Sequence, residues 1–217
     1  RVVVNGFYYP HYEVGGDYYD CIRLSETKTG FCIADVSGKG ISAAMLMSNF
    51  QASFRALFTY NVHLETLVYK LNSIVAVNTG GEKFITFFVA RYDHKGGVLE
   101  YINAAHNPPV LYNTVTGEVK HLKASCIGLG MLDEMPPVRK SEILIKDNSK
   151  LVCYTDGLSE LKDADGKEVG SELIVRHISN KRPVESNIME LIGELGLPDD
   201  NPSAFDDVSI IVADIIR

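Results

Sequence analysis

Hydrophobic periodicity switches between two and 3.6 residues only four times along this chain, and the order of the switches limits the folds open to it. Val2 to Tyr9 and Tyr18 to Leu24 are rich in β-branched and aromatic residues and read as strands. The polar turn SETKTG (25–30) returns the chain as Phe31 to Val36, a hairpin. From Ile41 the period changes. Met47, Phe50, Phe54, Leu57 and Phe58 fall at helical spacing, as do Leu64, Leu67, Val68, Leu71, Ile74 and Val75. Two amphipathic helices joined near Asn61 are predicted, their aromatic stripe serving as core. A long β stretch follows: Phe84 to Tyr92, Val98 to Asn103, Val110 to Tyr112, Glu118 to Leu122, Ser141 to Ile145 and Leu151 to Tyr154. Gly96-Gly97, Pro108-Pro109 and Pro136-Pro137 separate these segments. Two further helices, about Ser171 to Ser179 and Val184 to Leu195, end near Gly196 and Pro198 and precede a last strand, Val208 to Ile216. No β-α-β alternation is present, which argues against a parallel doubly wound sheet. Antiparallel sheets with segregated helix pairs, an α+β layered sandwich, fit the order. With no repeat or linker, residues 1–217 read as one domain.

Composition narrows the function classes. A formal net charge of −7 argues against a nucleic-acid surface, which needs a basic stripe, and against polybasic membrane docking. Taken alone, the acidity reads as a solvated surface. Of the four cysteines, Cys21, Cys32 and Cys153 sit in apolar runs and Cys126 stands apart. They read as reduced, core-packing thiols of a cytoplasmic protein, although Cys21 and Cys32 could face each other across the hairpin. No apolar run approaches the ~18 residues of a membrane span, and no signal peptide is visible. The chain begins with Arg1 inside a strand-like run. It is therefore expected to be cut from a longer signalling protein, with a sensor or a membrane tether upstream.

The informative feature is where the aspartates fall. Asp17 follows Gly15-Gly16, Asp35 precedes Ser37-Gly38-Lys39-Gly40, Asp156 is followed by Gly157, and Asp206-Asp207 open the final strand. At each place an apolar strand meets a small-residue loop, so a side chain can enter a cleft from a rigid backbone. Converging carboxylates repel one another, and divalent cations relieve the repulsion. With no His or Cys in the cluster, an all-oxygen site suits Mg²⁺ or Mn²⁺ better than zinc. The bland alternatives are turn chemistry at Asp156-Gly157 and an N-cap at Asp35.

Five strings carry a resemblance: EVGGDYYD (13–20), ADVSGKGISAAMLMS (34–48), INAAHNPPVLY (102–112), YTDGLSE (154–160) and FDDVSIIV (205–212). In that order they resemble the serine phosphatases of the bacterial SpoIIE/RsbU type, a branch of the metal-dependent protein serine/threonine phosphatases with the type 2C fold. The resemblance implies an α-β-β-α sandwich of two mainly antiparallel sheets flanked by helix pairs, and two Mn²⁺ or Mg²⁺ ions. It also implies that Asp35 bridges both ions and that the Val36 carbonyl is a ligand of one of them. Asp156 and Asp206 would hold the second ion with Asp35, and Asp17 would orient water near the first. Gly16 would permit close approach, and 37–40 would shape the loop beneath the phosphate. Asp206 rather than Asp207 is the expected ligand of the doublet. The implied activity is hydrolysis of phosphoserine or phosphothreonine on a protein, by family analogy an anti-anti-sigma-type (STAS) regulator in partner-switching signalling. A homodimer is possible.

Ser37 stands where eukaryotic relatives carry a histidine, as is usual in the bacterial branch, which leaves the leaving-group acid unassigned, and Ala105 precedes His106 where the family usually has glycine. His106 is read as a hydrogen-bonded structural residue, ahead of a role as catalytic acid. Rival readings are a catalytically silent binding module and, more remotely, a diguanylate cyclase suggested by Gly15-Gly16-Asp17-Tyr18. The cyclase motif sits mid-domain, whereas here only 14 residues precede it. Ser37 to Gly40 fails as a phosphate loop because Ile33 and Gly40 occupy its Gly and Ser/Thr positions. Asp163 to Gly166 fails as a calcium loop because Ile174 replaces the twelfth-position Glu.

Overall fold

The computed structural model describes residues 1–162, 166–197 and 205–217. Strands β1 (Val2–Tyr9), β2 (Tyr18–Arg23) and β3 (Lys28–Val36) precede helices α1 (Ile41–Leu57) and α2 (Leu64–Thr79). Next come β4 (Ile85–Asp93), β5 (Val98–Ala104), β6 (Val110–Asn113), β7 (Val119–His121), β8 (Ser141–Leu144) and β9 (Ser149–Tyr154). Helices α3 (Asp156–Ser159), α4 (Gly170–Ile178) and α5 (Val184–Glu194) lead into β10 (Val208–Ile215). The expected elements are present. The single turn α3 was not foreseen, because four residues carry no readable period. Pro198, expected near the end of α5, and positions 163–165 of the rejected calcium loop lie outside the described residues.

Two five-stranded sheets form, in the orders β1-β10-β9-β6-β7 and β2-β3-β4-β5-β8, with every strand pairing antiparallel. The sheets stack, and their strands alternate between two apolar surroundings. Phe31 and Ile33 of β3 and Phe88, Ala90 and Tyr92 of β4 meet Leu151, Cys153, Ile211 and Ala213 of the opposite sheet. The intervening residues Cys32, Ala34, Val36, Phe87 and Val89 pack against α1 and α2. On the other outer face, Val152, Tyr154, Ile210 and Val212 pack against α4 and α5. Burial on both faces explains why these strands read as continuous apolar runs instead of alternating ones.

The aromatic stripe of α1 is core, as expected. Phe54 is fully buried, with ring centroids 5.7 Å from Phe87 and 5.0 Å from Phe58. Two cysteine readings need adjustment. The β2–β3 register sets Cys21 opposite Phe31 and Asp20 opposite Cys32, so the two thiols do not face each other. Cys21 is also exposed rather than buried, because β2 is an edge strand. All four cysteines are free. Among the described residues, no helix is long and apolar enough to cross a membrane.

Register gathers the acidic strand ends. Tyr18 pairs with Ala34, so Asp17, just before β2, comes level with Asp35 near the end of β3. Tyr154 pairs with Ile210, which brings Asp156 beside the start of β10 and its Asp206-Asp207 doublet. Truncation of the stripe tests the packing that holds this end. Phe54→Ala is expected to lower stability by about 3–5 kcal/mol in urea unfolding.

Candidate functional site

The site is built at one end of the gap between the sheets. Phe31 and Ile33 point into that gap, so the period of two along β3 sends Asp35 the same way, to its mouth. Leu151 and Cys153 do likewise from β9, which turns Thr155 inward. The Thr155 hydroxyl donates to Asp17 Oδ2 at 2.8 Å and accepts from the Ser209 amide at 3.0 Å. One buried threonine thereby ties the β2 end of one sheet to the β9–β10 end of the other. Sequence reasoning passed over Thr155, although its spacing of two from Cys153 was a signal for it.

Asp207 does a different job from its neighbour. Its two oxygens accept backbone amides from Gly16 at 2.6 Å and His11 at 2.8 Å, pinning the β1–β2 loop to the start of β10. Glycine is needed around it. A Cβ on Gly15 would lie 2.4 Å from Asp207 Oδ2, and one on Gly157 would lie 2.0 Å from the Asp207 carbonyl oxygen. Gly16 packs on Val36, where a Cβ would come 3.3 Å from the Val36 carbonyl oxygen. Asp206 has a partner on each oxygen. Its Oδ1 accepts the Asp207 amide at 2.9 Å, and its Oδ2 pairs with the Lys39 ammonium at 3.0 Å.

The N-cap of α1 is Gly40, with no side-chain cap bond, so Asp35 does not cap that helix. Asp156 begins the single helical turn α3, and its carboxylate accepts the Gly157 amide, so the turn chemistry expected at Asp156-Gly157 is present. The electrostatics show a shared field. Asp35 is pushed up to about 7 by burial and then by Asp156, Asp206 and Asp207. Asp17 is raised by burial and then by Asp35, and Asp156 by burial and then by Asp206. Asp17, Asp35, Asp156 and Asp206 therefore lie at one end of the sandwich, within electrostatic reach of one another. Among the described residues, however, no three His, Cys, Asp or Glu side chains close on a single ion as they stand.

His106 lies buried behind β4. Its Nδ1 pairs with the Thr86 hydroxyl at 2.8 Å, and its amide donates to Asn103 Oδ1 at 2.8 Å. Burial lowers its pKa to about 4, so the ring is neutral near pH 7 and belongs to the support of the site. Thr86 pairs directly with Asp35 across β3 and β4. Ala105, before it, is the non-glycine with positive φ among the described residues, at 54°, where glycine fits without strain.

Two outcomes follow. Each raised carboxyl keeps its proton to higher pH in the folded chain than in the unfolded one. Without divalent cations, stability is therefore expected to fall as pH rises from about 4 to about 7. Asp35 contributes on the order of 2–4 kcal/mol to that fall, and the gap between melts in chelator at pH 5 and pH 8 should narrow in Asp35→Asn, with the remainder left by Asp17 and Asp156. Ala105→Gly is expected to gain about 0.5–1 kcal/mol, as relief of the left-handed strain outweighs added freedom in the unfolded chain.

Comparison with known proteins agrees with this architecture. Residues 25–216 match the family described as Stage II sporulation protein E (SpoIIE). The phosphoserine phosphatase RsbU of Bacillus subtilis is 29% identical over 157 residues, covering 72% of this chain and 46% of the relative. This chain thus spans less than half of that protein. The PP2C phosphatase domain of SpoIIE from Bacillus subtilis superposes with a TM-score of 0.81 at 17% identity, over 99% of this chain and 63% of that one. The catalytic domain of the serine/threonine phosphatase PstP, solved with two manganese ions, gives a TM-score of 0.73 at 16% identity over 100% and 99% of the two chains. The matched span takes in Asp35, Asp156 and Asp206 and every strand described here except β1 and β2, and on that basis the chain belongs to the SpoIIE family.

Proposed function

We propose that this chain is the catalytic domain of a protein phosphatase that hydrolyses phosphoserine or phosphothreonine on a protein substrate, with divalent cations held by its acidic cleft. The observation that carries the reading is the convergence of Asp17, Asp35, Asp156 and Asp206 between two sheets, with Asp35 pushed up to about 7 by its acidic neighbours. A cleft that holds this much negative charge in a partly buried place has an unmet need for cations.

The donors fit Mn²⁺ or Mg²⁺. They are oxygens only, and the Lys39 ammonium already stands against Asp206 as a cation would. Asp35, the Val36 carbonyl, Asp156 and Asp206 would hold the ions. Bound there, the ions supply Lewis acidity and a water acidic enough to attack phosphorus near neutral pH. Asp17, fixed by Thr155, would orient the attacking water. The loop 37–40 would form the floor under the phosphate, its Ser37 amide and hydroxyl tied to Phe84 at 2.9 Å each. The leaving serine or threonine oxygen would depart in line, with no covalent intermediate on the protein.

RsbU is named as a phosphoserine phosphatase, and a solved neighbour joins RsbU and RsbW domains in one protein of Mycobacterium tuberculosis. These relatives support a phosphoprotein substrate in partner-switching signalling; by family analogy we take that substrate to be an anti-anti-sigma-type (STAS) protein, with a sensor segment elsewhere in the longer protein and the cytoplasm as the place of action. Hydrolysis of an aryl phosphate with Mn²⁺ tests the reaction. Asp156→Asn is expected to lower the rate at least a hundredfold while its circular dichroism spectrum stays that of the parent. A parent chain that binds Mn²⁺ and a phosphorylated partner without turnover would instead be a silent binding module.

A further inference from the structure

We propose that Lys39 is a tethered counter-ion of the acidic cleft, one that competes with divalent cations for Asp206 and so limits how tightly they are held. The inference rests on the cation-binding reading above. The Lys39 ammonium lies 3.0 Å from Asp206 Oδ2 and also donates to the neighbouring Phe205 carbonyl. It is held at the start of β10, beside the acids the cluster brings together.

The backbone is shaped to send it there. Lys39 sits between Gly38 at φ 87° and Gly40 at φ 73°, a left-handed path that residues with a Cβ rarely take. The loop is fastened on the far side, where Lys83 donates to the Ser37 carbonyl at 3.1 Å. A Cβ on Gly38 would come 2.6 Å from that Lys83 Nζ. From this anchored loop the Lys39 stem crosses from the β3–β4 sheet to the start of β10 in the other. The pair is also free to open. The two side chains are 41% and 43% exposed, so the flexible stem can return its ammonium to water.

Asp206 cannot serve an ammonium and a dication on the same oxygen, because the two positive charges repel. Binding of one therefore weakens the other, and the coupling is reciprocal. Loss of the lysine has two consequences of opposite sign. The ion-free protein loses its internal neutralisation, and a cation no longer has to displace a competitor.

Calorimetric titration of Mn²⁺ into the parent chain, Lys39→Gln, Lys39→Arg and Asp35→Asn tests this. Melts of the same proteins in chelator accompany the titration. Lys39→Gln is expected to bind Mn²⁺ roughly five- to tenfold more tightly and to melt several degrees lower without ions. Lys39→Arg should follow the parent in both. Unchanged or weaker Mn²⁺ binding by Lys39→Gln would overturn the proposal. If inorganic phosphate affinity fell instead, Lys39 would be a substrate-holding residue. The parent reading is judged separately. When the parent chain takes up Mn²⁺ and Asp35→Asn does not, the cation site stands and the lysine variant alone decides. When neither takes up Mn²⁺, both readings fall.

Discussion

The buried hydrogen bond from the Thr155 hydroxyl to Asp17 joins the two sheets at the end where negative charge accumulates. The sandwich would gain nothing in stability from bringing Asp17, Asp35, Asp156 and Asp206 together, since Asp35, Asp156 and Asp206 each raise a neighbouring carboxyl. Their backbones have no choice, because each lies one or two residues from the end of a strand whose register is fixed by a buried face. The Thr155 bond and the two amides on Asp207 are the polar fasteners that hold this end closed against that repulsion. Glycines 15, 16 and 157 supply the room those fasteners need.

Much of this was legible in the sequence. The strand-helix-strand-helix-strand order limits the topology to segregated helix pairs on antiparallel sheets. The apolar runs at Phe31 to Val36 and Leu151 to Tyr154 match strands buried on both faces. The aspartates were conspicuous because each interrupts an apolar run at a small-residue loop. Their convergence was not legible, since register between β2 and β3 and between β9 and β10 depends on long-range pairing. Thr155 and Lys39 were hidden for a related reason. Each acts across the gap between sheets, on a partner more than a hundred residues away. The exposed Cys21 was misjudged because an edge strand and a central strand can share one local pattern.

Family membership and physical reading meet at the same residues but support different statements. The match over 25–216 and the superposed type 2C structures establish family and fold. The chain covers only part of its curated relatives, so substrate, partner and regulation rest on the chemistry of the cleft. That chemistry is specific enough to be tested. A cleft of oxygen donors with one carboxyl near 7, a lysine standing in for a cation and a glycine-framed loop beside it suits cation-assisted attack on a phosphate ester. It suits poorly any reaction needing a thiol or a charged imidazole, because His106 is buried and neutral and no cysteine borders the acids.

The central claim is that side chains distant along the chain share divalent cations at the mouth of the sandwich. Anomalous diffraction at the manganese absorption edge, from crystals equilibrated with MnCl₂, tests it most directly. The account predicts anomalous peaks between Asp35, Asp156 and Asp206, with the Lys39 ammonium moved off Asp206. Manganese bound only at surface carboxylates, with Lys39 still paired to Asp206, would contradict it.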